Sequence, residues 1–295
     1  MAMSEFPALP QALPWQGGAY LFLDGVSVPD ILGKLYTWYP DPDIEILYLK
    51  TRLAGLHDIS PCLIRLNSPY EAAMQAYFEN LEDEWGYLIF SHADKTTLIQ
   101  HLRWLLTVKH PLGNTVFLRH ADPAVANALF ADAVSRCDLR FFGVIELVVM
   151  FDPVTRLWNQ HQRPSEALAP VYDKPYALSE AQMELLSEVS FRNVLINLDK
   201  HLQTHFPAYC TALTRIERWQ HLRGLADEAY ERGFNSERDI FRYGNIFALL
   251  GDDALQHHPD IAELITSSSA ATPSQRVEKA ARIAYERTQR QGDQA

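Results

Sequence analysis

Between Trp85 and Pro123 the chain passes from an apolar strand into an amphipathic helix, then through a short turn into a second strand that delivers Arg119 and Asp122 to the start of another helix. Trp85-Gly86-Tyr87-Leu88-Ile89-Phe90 is too short for a helix of ordinary length and is rich in aromatic and branched side chains, as strands are. Asp94 is placed to cap the next helix. Its apolar positions Leu98, Ile99, Leu102, Leu105, Leu106 and Val108 keep the helical period on one face. Pro111 and Gly113 stop it, Val116-Phe117-Leu118 reads as a strand, and Asp122-Pro123 forms an N-cap and first-turn pair for a helix over 124–130. No catalytic loop separates these parts.

The rest of the first half alternates in the same way. Residues 19–23, 44–49 and 62–66 read as strands, and 29–39 as a helix behind Ser27. Ser68-Pro69-Tyr70-Glu71 has the form of a capping box opening a helix to about Leu81. Asp152-Pro153-Val154-Thr155 is a turn signal between strands at 145–151 and 156–160, and so a hairpin. Such alternation predicts an α/β lobe, a mixed sheet covered by helices, over residues 19–162 behind a proline-containing tail of residues 1–18. A proline-rich linker at 163–178 leads to an all-α lobe over 179–295. There Ser179 with Gln182 caps a long helix ended by Pro207, a second helix spans 209–232, and Ser236 with Asp239 begins a third that stops at Gly251. Residues 266–271 read as a mobile link before the last helix, opened by Thr272-Pro273-Ser274-Gln275.

Charge narrows the partners. The formal net charge is −11 and is spread evenly, with 12 basic and 18 acidic residues up to residue 165 and 14 and 19 beyond it. Neither half is a basic platform for nucleic acid, and an acidic surface is repelled by anionic lipid. Cys62, Cys137 and Cys210 are odd in number and unevenly spaced, which suits a reducing cytoplasm better than a disulfide framework. The first 18 residues lack the cationic start and apolar run of a signal peptide, and no apolar stretch approaches the roughly 18 residues of a membrane helix.

The constellations of common chemistries are missing. His201 and His205, four apart on a helix, could share a zinc ion, but Leu202 and Gln203 cannot supply a metallopeptidase's general base, and a solvated helix edge is the better reading. Asp24 ends a strand where a phosphotransfer nucleophile could sit, yet Val26 stands where a second carboxylate is needed, which favours an aspartate tying the Gly25 turn. Cys62 reads as core. Arg119 is read first as a brace to Asp122, Asp24 or Glu146, and otherwise as a fork offered to a partner's carboxylate or carbonyl. On the helical side Phe234, Arg238, Arg242 and Tyr243 are the matching candidates, either core and charged margin or the rim of a binding groove. No catalytic residue, metal ligand or cofactor is assigned. The rival reading is a cytoplasmic hydrolase or transferase with a site at the strand ends around Asp24, His92 and His120.

Taken in order, Ser60-Pro61-Cys62-Leu63-Ile64-Arg65-Leu66, Trp85-Gly86, the helix 98–106, Phe117-Leu118-Arg119-His120-Ala121-Asp122-Pro123 and Phe141-Phe142-Gly143 resemble the effector-adaptor chaperones of bacterial type VI secretion. Gly233-Phe234 and Glu237-Arg238-Asp239-Ile240 extend the resemblance more loosely into the helical lobe. It implies a non-catalytic cytoplasmic protein that holds a toxic effector and helps to load it onto the VgrG spike. The partner-binding candidates are then Arg119, Asp122, Phe234, Arg238, Arg242 and Tyr243.

Overall fold

The computed structural model describes residues 8–39, 41, 43–166, 171–267 and 269–292. The chain divides into two compact units between Val189 and Ser190. The first 7 residues of the expected tail, residues 167–170 of the expected linker and residue 268 of the expected link lie outside the described residues.

In the first unit the elements run β1 (Ala19–Leu23), α1 (Ile31–Trp38), β2 (Ile44–Ile46), β3 (Cys62–Leu66), α2 (Ala72–Glu79), β4 (Gly86–Phe90), α3 (Lys95–Leu105), β5 (Thr107–Lys109), β6 (Thr115–Phe117), α4 (Pro123–Arg136), α5 (Leu139–Phe142), β7 (Leu147–Asp152) and β8 (Leu157–Gln162). Six strands form one sheet in the order β2-β3-β1-β4-β7-β8. The α/β architecture is as expected, but its named strands pair antiparallel throughout, where a mixed sheet was predicted. The reason lies in the crossovers. From β1 through α1 to β2, and from β3 through α2 to β4, the chain returns in the same direction but skips one strand, and an oppositely directed strand fills each gap.

Strands β1 and β4 are buried along their whole length, so their side chains feed two cores by simple alternation. Tyr20, Phe22, Tyr87 and Ile89 pack with α3, α4 and α5 through Leu98, Leu102, Leu129, Phe130 and Phe141. Leu21, Leu23, Leu88 and Phe90 pack on the other face with α1 and α2 through Ile31, Leu35, Met74 and Tyr77. Cys62 lies in this second core, and burial pushes its thiol up to about 12. The unit is a sheet between two helical layers.

Several element ends differ from expectation. Helix α3 begins as read, with Thr97 N–H donating to Asp94 Oδ1 at 2.9 Å, but it stops at Leu105. Val108, placed on that helix by its spacing, belongs instead to β5, which pairs with β6 in a separate hairpin. Strand β2 gives way after Ile46 to a 3-10 turn over Leu47–Lys50. The Ser68 box delays its helix to Ala72, because Glu71 spends a carboxylate oxygen on the Ser68 N–H at 3.0 Å while itself standing at the N-cap.

The second unit is helical, comprising the end of α6 (Glu180–His205), α7 (Arg215–Glu231), α8 (Glu237–Leu250), α9 (Ala254–His257), α10 (Pro259–Thr266) and α11 (Pro273–Gly292). Helix α7 starts six residues later than expected, at a capping box in which Thr214 and Glu217 satisfy each other's backbone. Its core gathers Leu198, Leu202, Leu222, Phe234, Tyr243, Ile246, Ile261 and Val277. No helix among the described residues is long and apolar enough to cross a membrane.

Candidate interaction site

The C-terminal end of β1 carries a buried polar cluster. Asp24 follows Leu23 directly, so the strand pins its backbone, and its N–H donates to the Trp85 carbonyl at 2.8 Å. The turn beyond lies against the neighbouring chain: a Cβ on Gly25 would stand 2.3 Å from the Ser60 carbonyl oxygen and 2.5 Å from the Ile59 carbonyl carbon, so only glycine fits. Asp24 is 1% exposed and accepts from the Ser27 N–H at 3.1 Å and from Arg119 Nε at 3.1 Å. A second guanidinium nitrogen of Arg119 donates to the same carboxylate oxygen and, at 3.1 Å, to Ser27 Oγ.

Arg119 also faces Asp122, with Nη1 3.5 Å from Oδ2. Asp122 caps α4, accepting from the N–H groups of Ala124 at 2.9 Å and Val125 at 3.2 Å. Burial raises its carboxyl above the usual aspartate range, against the pull of Arg119. Two of the three brace partners considered for Arg119 are thus found in one cluster. The third, Glu146, instead accepts the His92 backbone N–H at 3.0 Å, at the opposite end of the sheet. Arg119 keeps 42% of its side chain exposed, so the braced fork also faces solvent.

Neighbouring segments expose apolar side chains. Val26, Leu49, Leu56, Ile59 and Phe117 are all exposed, and the Arg52 guanidinium lies 5.7 Å over the Phe117 ring. The turn after β1, the segment 47–59 and the end of β6 supply these residues. None of them was singled out as a surface residue from the sequence, because an apolar side chain in a short element reads as core until its neighbours are known. Exposed aromatic and aliphatic groups among arginines have the composition of a protein-binding face.

The helical candidates do not gather into a comparable face. Phe234 and Tyr243 are fully buried core side chains, with ring centroids 5.8 Å apart. Arg242 spans Asp239 at 3.5 Å and Glu278 at 3.0 Å, fastening α8 to α11. Arg238 is exposed. His201 Nε2 is held by Asn245 Oδ1 at 2.8 Å, and its ring stacks on Phe241 at 4.9 Å.

The residues of the rival enzyme reading do not converge. Asp24 and His92 stand at opposite ends of β1 and β4, since Leu23 pairs with Gly86 and Ala19 with Phe90. His120 is buried against Phe22, with ring centroids 5.3 Å apart, and burial drives its imidazole down to about 4. A histidine so placed stays neutral near pH 7, where it has no proton to give as a general acid and is only a weak base.

The comparisons with known proteins agree with the order of motifs. The family model described as a domain of unknown function, DUF4123, matches residues 19–136, from β1 to the end of α4. Accessory protein VasW of Vibrio cholerae serotype O1 is 30% identical over 278 residues, covering 92% of this chain and 88% of that protein. No solved structure matches the chain. With kinship that runs through both units, this chain belongs to the DUF4123 family, the effector-adaptor family that its motifs resemble.

Proposed function

We propose that the protein is a non-catalytic adaptor that binds a type VI secretion effector in the bacterial cytoplasm and assists its loading onto the VgrG spike. The observation that carries this reading is the relationship to an accessory protein along 92% of the chain, which a shared fold fragment alone would not produce. The first unit supports it, because the polar cluster at the end of β1 is an internal brace and exposed apolar and guanidinium side chains suited to protein contact stand on the neighbouring segments. Function is then a matter of binding free energy: tight enough to cover the client until delivery, weak enough to let it go.

Co-expression with each neighbouring gene product, followed by affinity purification and sizing, tests the proposal. A discrete complex with one toxin-like neighbour, together with a rise in that neighbour's soluble yield, is the expected outcome. If every neighbour purifies alone at unchanged yield, the adaptor reading fails.

A further inference from the structure

The β5–β6 hairpin has one edge taken and one edge open. Leu118 N–H donates to the Leu106 carbonyl at 3.1 Å and His110 N–H to the Asn114 carbonyl at 2.9 Å. Bonded and non-bonded pairs alternate in an antiparallel ladder, so Val108–Val116 is the bonded pair between these, and Thr107–Phe117 and Lys109–Thr115 are non-bonded. The backbone groups of non-bonded pairs point away from the hairpin. On the β5 side this is visible directly, since Lys109 N–H donates to the Tyr176 carbonyl at 2.7 Å and the Lys109 carbonyl accepts from Leu178 N–H at 2.8 Å. On the β6 side the N–H and C=O groups of Thr115 and Phe117 point outward, and no described residue hydrogen-bonds them.

That edge is accessible and flanked by a particular chemistry. Thr115 is exposed, and Phe117 is 61% exposed beneath the Arg52 guanidinium. Of the cations beside it, Lys50 lies 3.5 Å from Glu45 and Arg119 is taken up by Asp24 and Asp122, whereas Arg52 and Lys109 meet no carboxylate among the described residues, in a chain whose net charge is −11. Unpaired backbone on an exposed edge is a template for a further strand, and the local excess of positive charge selects an acidic one. A second copy of this chain would bring one basic edge against another.

Resting on the adaptor reading above, we infer that the outer edge of β6 takes up an extended, acidic segment of the effector as an added strand. Its backbone pairs with Thr115 and Phe117, its apolar side chains lie on Phe117, and its carboxylates meet Arg52.

The test uses the full-length chain and whichever neighbouring gene product forms a complex with it. Thr115→Pro removes an outward N–H while leaving the Val116 ladder bonds in place, at an edge position where proline is tolerated. Arg52→Glu reverses the charge without touching the backbone. Each is expected to weaken the complex about tenfold or more, with circular dichroism and melting temperature unchanged. The Thr115 and Phe117 amides are expected to exchange quickly in the free protein and slowly in the complex. Should Thr115→Pro fail to fold, Arg52→Glu and the exchange data decide alone.

Full affinity in the folded variants, with unchanged exchange at both amides, overturns the edge assignment and leaves the adaptor reading standing. Protection of both amides in a self-associated free protein also overturns it. Absence of any complex with the wild-type chain removes the adaptor reading, and the edge assignment falls with it.

Discussion

At the scale of single residues, one carboxylate organises the end of the sheet. Asp24 is buried and depends on Arg119 for its compensating charge. Removing one partner of such a pair costs more than the pair contributes, because the other charge is left desolvated. Arg119→Ala is therefore expected to destabilise the protein by about 2 kcal/mol, below the range for fully buried pairs because the guanidinium is partly solvated. Urea unfolding measures this, and a loss under about 0.5 kcal/mol would show that Arg119 braces nothing. His101 and His120 supply a second residue-scale expectation. Burial lowers both imidazoles from 6.5 to about 4, so the unfolded chain takes up these protons first as pH falls. Their stabilising contribution is complete above pH 6.5 and is lost progressively toward pH 4, by up to about 3 kcal/mol for each histidine. The urea midpoint should fall steeply between pH 7 and pH 4.5, and His120→Gln should remove part of that fall.

At the scale of elements, the turn after α5 is built around one glycine. Gly143 has φ +52°, and a Cβ there would stand 2.4 Å from the buried His101 ring, whose Nε2 is 3.0 Å from the Phe141 carbonyl oxygen. Gly143→Ala is expected to lower stability by about 2 kcal/mol or more through clash and backbone strain combined. A melting temperature within a degree of wild type would contradict it. Asp122→Ala is expected to cost about 1 kcal/mol from the lost cap of α4. That cap was legible in the sequence because Asp-Pro acts locally, as were β1, β4 and the β7–β8 hairpin, where aromatic and branched runs end in turn residues. What escaped was non-local. Val108 continues the spacing of the α3 apolar face, and only its pairing with Val116 makes it strand. The antiparallel sheet depends on which strand fills the gap under a crossover, and no local pattern encodes that choice. Arg119 with Asp24 was one of several pairings the sequence allowed, whereas the exposure of Phe117 and Ile59 followed from packing alone.

At the scale of the whole molecule, the chain combines a double-faced sheet unit with a helical unit, and its relationship to an accessory protein runs through both. Among the described residues the reactive side chains singled out from the sequence stand apart: Asp24 is held in a brace, His92 stands at the far end of the sheet, and His201 is bonded to Asn245. An adaptor and a structural subunit of the secretion machine differ in what is lost without them. The measurement that separates them is the export of the neighbouring effector and of the spike protein by a strain deleted for this gene, with and without complementation. Loss of the effector alone from the medium, restored by the intact gene, is the expected result. Loss of both proteins, or of neither, would contradict a role in loading one effector.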